Sequence, residues 1–199
     1  MNEHYFTAAP SSDAGERTVS LRADGRSYAL RTARGVFSAD RLDLGTQVLL
    51  DRGPRPPASG RLLDLGCGYG PIACVLAIRS PDAEVWAVDV NERARSLTER
   101  NAAALGLANV RVAAPDAVPG DLAFAAIYSN PPIHVGKPAL HELLHTWLTR
   151  LEPDGAAYLV VQRNLGADSL HRWLVSEGYA CDRLASAKGY RVLGASLTG

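Results

Sequence analysis

Lysine is almost missing from this chain: Lys137 and Lys188 are its only two among 21 positively charged residues. Arginine carries the rest, and it favours planar, bidentate contacts, although a compositional bias of the genome produces the same pattern. The 21 acidic residues cancel the 21 basic ones. Bulk charge therefore does not point to nucleic acid, and any such partner has to be met by a local patch. Cysteine is scarce too. Cys67, Cys74 and Cys181 have neither metal-site spacing nor the pairing of a disulfide framework, so a reducing cytoplasm is the expected location. No apolar run approaches the roughly 20 residues that span a bilayer, and the polar N-terminus is not expected to be a signal peptide. Repeats and low-complexity tracts are absent. What is present is 47% hydrophobic and 21% charged residues over 199 positions. That composition suits one well-cored globular domain and excludes a disordered chain.

In chain order, residues 1–16 read as a loosely ordered lead-in. Alternating apolar residues at 18–21 and 27–30 flank Ala23-Asp24-Gly25-Arg26, and Asp-Gly between such runs predicts a tight hairpin. Arg17, Arg22, Arg26, Arg31, Arg34 and Arg41 make this front end positive. It reads as a solvated strand face or as an RNA-contacting arm. A loop then leads to a short helix beginning near Leu44. The Pro-rich segment 54–60 reads as a rigid connector, separating an N-terminal extension (1–55) from the main domain (56–199). Strands are predicted near 61–65, 84–89, 109–113, 124–129, 156–162, 179–184 and 190–194. Helices are predicted near 71–79, 92–105, 138–150 and 167–177. This alternation predicts an α/β fold, a seven-stranded, mostly parallel sheet covered by helices on both faces. Its ligand is expected beyond the carboxyl ends of the strands, where strand order reverses.

Three stretches carry chemistry. In Asp64-Leu65-Gly66-Cys67-Gly68-Tyr69-Gly70-Pro71 a buried strand breaks into alternate glycines, which let a ligand approach the backbone, and then resumes as a helix with free N–H groups. The second stretch, Val85-Trp86-Ala87-Val88-Asp89, ends in an acid 19 residues after Gly70. A carboxylate there can accept both hydroxyl hydrogens of a ribose, or it can serve as a helix cap. The glycine spacing is not the dinucleotide G-x-G-x-x-G. Asp64 ahead of the turn suits a ligand bearing an ammonium group, which points to S-adenosylmethionine. The third stretch is Asn130-Pro131-Pro132-Ile133 at a strand end. There the Asn130 side-chain carbonyl and the Pro131 backbone carbonyl can both accept from one planar amine. Catalysis would then proceed by orientation and electrostatics, without a covalent intermediate.

Residues 61–133 resemble class I, Rossmann-like S-adenosylmethionine-dependent methyltransferases of the amino-methylating kind. Adding Gly35-Val36-Phe37-Ser38, Asp43-Leu44-Gly45-Thr46, the continuation His134-Val135-Gly136-Lys137 and Gly189-Tyr190-Arg191-Val192-Leu193 sharpens the likeness. The chain is similar to the "methyltransferase small" family, which includes small-subunit rRNA guanine-N2 methyltransferases. The resemblance implies that Asp64, Gly66, Cys67 and Gly68 line the methionine end of the cofactor. It implies that Asp89 binds the ribose with Asn91 assisting, and that Asp116 accepts from the adenine amine. Phe37 and Thr46 would close over the cofactor, beside Asn130. Asn130, Pro131 and Pro132 would hold the target amine, with Ile133, His134 and Lys137 on the substrate side.

Two departures stand out. Ile133 occupies a place where many relatives carry an aromatic residue that stacks on a base, a contact worth roughly 1–3 kcal/mol. The two-domain members also carry a degenerate methyltransferase-like half before the catalytic one, and none is expected within these 199 residues. His141-Glu142-Leu143-Leu144-His145 fits the zinc-protease pattern H-E-x-x-H, but it lacks the usual continuation, and no metal is expected. His134 can contact a phosphate or base, or hold its loop. The expected activity is N-methylation of an exocyclic amine, foremost guanine N2 of rRNA. The alternatives are a release-factor-type protein-glutamine methyltransferase and a non-catalytic RNA- or cofactor-binding module. An RNA partner is expected and a membrane is not.

Overall fold

The computed structural model describes residues 15–36, 38 and 41–198; Phe37 and most of the lead-in lie outside them. Strands β1 (Arg17–Ala23) and β2 (Arg26–Thr32) form the expected antiparallel hairpin. Asp24 and Gly25 turn with φ of 51° and 75°, the paired positive values that suit a two-residue turn. Val19, Leu21 and Ala23 alternate inward. Helix α1 (Leu44–Arg52) starts at Asp43, whose carboxylate accepts from the Thr46 backbone N–H at 2.8 Å, satisfying one of the free donors of the first turn.

The main sheet contains β3 (Ser59–Leu65), β4 (Asp82–Val88), β5 (Val110–Ala113), β6 (Phe124–Ser129), β7 (Leu151–Gln162), β8 (Tyr179–Ala187) and β9 (Tyr190–Leu197). Its spatial order is β5-β4-β3-β6-β7-β9-β8. Strands β3 to β7 run parallel, and β9 alone runs against the rest of the sheet. One face carries α1, α2 (Pro71–Arg79), α3 (Glu92–Ala104) and the hairpin. The other carries α4 (Lys137–Leu148) and α5 (Ala167–Ser176). Side-chain alternation explains the division: Leu62 joins the first apolar cluster, while Leu63 and Leu65 join the second. Among the described residues no helix is long and apolar enough to cross a membrane.

Two stretches differ from the sequence reading. Strand β7 begins at Leu151, which pairs with Phe124 before the register shifts to Ala126 with Ala156. The shift packs Gly155 so closely that a Cβ there would lie 2.8 Å from the Phe124 carbonyl oxygen. Strand β8 runs on to Ala187, past the expected end at 184, and β9 starts at Tyr190 as expected but runs on to Leu197; Lys188-Gly189 joins them with φ of 50° and 82°. This is a second tight hairpin, without the usual Asn or Asp in its turn.

The first hairpin is tied to the main body by side chains. Asp24 pairs with Arg79 on α2 and with Arg55, both at 2.8 Å. Asn101 on α3 accepts from the Arg31 N–H at 2.8 Å and donates to the Arg31 and Tyr69 carbonyls at 2.9 and 2.8 Å. Part of the arginine charge at this end is matched locally, since Glu16 meets Arg31 and Arg100.

Candidate active site

Strand order reverses at β3, which has β4 on one side and β6 on the other. Loops leaving the carboxyl ends of these strands diverge there and open a crevice. The crevice is a cavity of about 540 Å³. Its wall is built from the glycine turn after β3, Asp89 and Val90 after β4, and Asn130 to Val135 after β6. Asp43 and Thr46 at the start of α1, Leu143 and Trp147 from α4, and Tyr190 from β9 also line it.

Gly66, Gly68 and Gly70 all have positive φ, at 76°, 57° and 88°. A Cβ on Gly66 or Gly68 would meet no protein atom within 4 Å, whereas one on Gly70 would lie 2.8 Å from Thr98 Cγ2. The first two glycines therefore keep ligand space open, and the third lets α3 pack against the turn. The turn is anchored by its own amides. Gly66 and Cys67 donate to the Val88 carbonyl at 2.8 and 3.0 Å, and Gly68 donates to Asp89 Oδ2 at 2.9 Å. Burial, with Asp89 and Asp64 nearby, pushes the Cys67 thiol well above its ordinary pKa. It stays protonated and is no nucleophile.

Asp89 is almost fully buried. Its Oδ1 accepts from the Asn91 N–H at 2.9 Å while Oδ2 takes Gly68, so its orientation is fixed. Asp64 lies behind the turn and does not line the cavity. Its Oδ2 accepts from the Ala73 N–H in the first turn of α2 at 2.9 Å, and its Oδ1 is buried with no hydrogen-bond partner. Burial pushes its carboxyl up to about 8, with a further push from Asp89, and these outweigh the Ala73 N–H.

Besides Asp64, three expected site residues sit away from the cavity wall. Asn91 caps α3 by accepting from the Ala94 N–H and donates to the Gly35 carbonyl; its amide holds the chain rather than facing the cavity. Asp116 is exposed in a single 3-10 turn, and its neighbour Pro115 lines the cavity instead. Lys137 is exposed at the start of α4. The remaining described candidates converge. Pro131 and Pro132 line the cavity, as do Ile133 and His134 in a short 3-10 turn. The Pro131 carbonyl accepts from the Ile133 N–H at 2.9 Å, leaving its second lone pair available. Asn130 Nδ2 donates to Asp43 Oδ1 at 2.6 Å and to Thr46 Oγ1 at 3.1 Å.

Asp43 and Tyr190 are wall residues that the sequence reading missed as site residues. Asp43 could have been found from its helix-capping place beside Thr46. Tyr190 could have been found only from sheet order. The two histidines of the H-E-x-x-H pattern face α5: His141 stacks on Trp173 at 4.1 Å between ring centres, and His145 Nδ1 lies 4.0 Å from Glu177. Among the described residues no group of three or more His, Cys, Asp or Glu is placed to hold a metal ion.

The model of the methyltransferase small domain matches residues 27–194. The chain belongs to this family. It carries a methyltransferase domain whose methyl donor is S-adenosylmethionine, as the resemblance implied. It is 34% identical over 196 residues to the uncharacterized protein YbxB of Bacillus subtilis (strain 168), covering 97% of this chain and 98% of that one. It is 35% identical over 192 residues to ribosomal RNA small subunit methyltransferase C of Stutzerimonas stutzeri (strain A1501), covering 93% of this chain and 56% of the relative. Among solved structures, the T. thermophilus 16S rRNA N2 methyltransferase in complex with AdoMet and guanosine superposes with a TM-score of 0.78 at 28% identity. That match covers 95% of this chain and 52% of the other. The chain thus spans about half the length of the two named rRNA methyltransferases.

Proposed function

We propose that this domain transfers a methyl group to an exocyclic amine, and that the amine is guanine N2 of ribosomal RNA. The observation that carries the reading is the Asn130 amide, held by Asp43 and Thr46 in the wall of a cavity it shares with the glycine turn and Asp89. The likeness to an rRNA methyltransferase solved with AdoMet and guanosine supports the choice of base.

The residues fit the methyl donor. The open sides of Gly66 and Gly68 form a cradle that a Cβ would fill. Asp64 lies behind this cradle, and its unpartnered oxygen suits an ammonium group reached through water. S-adenosylmethionine, when bound, supplies an electrophilic methyl on a sulfonium. Asp89, fixed by two backbone amides, accepts from ribose hydroxyls. Asn130 Oδ1 and the second lone pair of the Pro131 carbonyl accept the two N–H bonds of the target amine. Held this way, the amine pyramidalises and its lone pair is aimed at the methyl, so orientation and electrostatics supply the rate. No general base is needed, because the methylated ammonium is acidic and loses its proton after transfer. A base buried in a helix has to be unstacked to reach the wall, and Tyr190 offers an aromatic surface where Ile133 does not. A cytoplasmic location suits such a substrate.

The test is to incubate tritiated S-adenosylmethionine with rRNA, assembled subunits and total protein, and to identify the labelled product by mass spectrometry. N2-methylguanine in RNA is the expected product; label on protein glutamine would overturn the base assignment. Asn130→Ala should abolish transfer while leaving S-adenosylhomocysteine binding within a few-fold. Loss of binding instead would make Asn130 a cofactor residue.

A further inference from the structure

We infer that Asp43 is a positioning residue that dictates which end of the Asn130 amide meets the target amine. This rests on the reading of Asn130 as the amine clamp. The two ends of an asparagine amide are nearly equal in shape and opposite in hydrogen-bonding sense. A carboxylate offers only acceptors, so at 2.6 Å Asp43 Oδ1 can be faced only by Nδ2. Thr46 Oγ1 takes the same NH2 group at 3.1 Å. With both donors engaged there, Oδ1 is the end left to serve the cavity, and Oδ1 is the end that can accept from an amine. Turning the amide over would set oxygen against carboxylate and offer N–H to N–H.

The fold makes Asp43 stiff enough for this task. It is the N-cap of α1, and its carboxylate is also held by the Thr46 N–H at 2.8 Å. A Cβ on Gly45 would lie 2.7 Å from Tyr190 Cε1 and 3.0 Å from Asp43 Oδ1. The absence of that side chain lets the first turn of α1 settle against β9 with Asp43 facing β6. Asp43 and Asn130 are 87 residues apart in sequence, and α1 is the element that joins them.

The experiment compares Asp43→Asn and Asp43→Ser with the parent enzyme and with Asn130→Ala. Serine and asparagine are both good helix N-caps, so melting temperature should stay close to that of the parent and S-adenosylhomocysteine affinity within about twofold of it. Asparagine keeps an oxygen that accepts from Asn130 but no longer forbids the turned-over amide. Serine is too short to reach it. The expected order of kcat is therefore Asp above Asn above Ser, with Ser at least tenfold below the parent, a loss typical of an acceptor misplaced in the transition state. A purely capping role predicts equal kcat for all three. Full activity of Asp43→Ser alongside an inactive Asn130→Ala overturns the inference and leaves the clamp standing. Parent-like activity of Asn130→Ala overturns the clamp, and the role of Asp43 with it.

Discussion

Asp64→Asn should stabilise the empty protein and weaken its hold on the methyl donor. The carboxyl is completely buried, with one oxygen bonded to the Ala73 N–H and the other without a partner. Its pKa is raised from 3.8 to about 8. Between those values the folded chain keeps a proton that the unfolded chain has lost. Stability is therefore full at the acid end and falls as pH climbs toward 8. At about 1.4 kcal/mol per unit the loss approaches about 6 kcal/mol, a large part of the 5–15 kcal/mol that holds a typical domain together. Asparagine has no charge to bury and keeps an oxygen for Ala73. Urea unfolding at pH 5, 6, 7 and 8 should show the parent losing stability with pH by roughly 1 kcal/mol per unit more than the variant. An ammonium group bridged to Oδ1 through water favours the ionised carboxyl, so binding of S-adenosylmethionine near pH 7 should release a proton from Asp64. Calorimetry in two buffers of different ionisation heat reads that release directly, and the variant should lack it. Parallel stability curves for the two proteins would refute the reasoning.

Three further outcomes follow from the glycine turn and its Asp89 anchor. Gly70→Ala should cost about 2–3 kcal/mol, since it combines a left-handed backbone with a contact against Thr98. Gly68→Ala should cost only about 1 kcal/mol yet lower cofactor affinity at least tenfold; calorimetric titration beside thermal melts separates the two. Asp89→Ala removes the anchor of Gly68 and Asn91 as well as the ribose acceptor. It should weaken S-adenosylhomocysteine binding by about a hundredfold, the worth of one or two charge-assisted hydrogen bonds.

The parallel core was legible because buried strands are short apolar runs and each helix repeats its apolar residues at its own period. The Asp24-Gly25 turn declared itself through its residue types, while Lys188-Gly189 did not, because only its second position is a turn-former. The early start of β7 was hidden by Pro153 and Asp154, which read as a loop; pairing of Leu151 with Phe124 overrides them. In the site, the glycines and Asp89 were legible because each is local: a strand end, a turn, a strand end. Asn91 looked like a ligand residue through its nearness to Asp89, but nearness in sequence says nothing about which way an amide is committed. Asp43 could not be joined to Asn130 from sequence, since their bond exists only after α1 folds across the sheet.

Asn101 substitutes for one peptide unit of a strand that is not there. Its amide offers Arg31 an acceptor and a donor on the outer rim of β2, then spends its second N–H on the Tyr69 carbonyl inside the glycine turn. Two consequences follow. That rung of β2 cannot recruit a further strand, which closes off a route to edge-to-edge association. The hairpin and the cofactor turn also share one latch, so the hairpin cannot open locally without loosening the turn. In amide exchange the two should protect and release together as a single cooperative unit, and ligand binding at the turn should slow exchange in a hairpin that does not line the cavity.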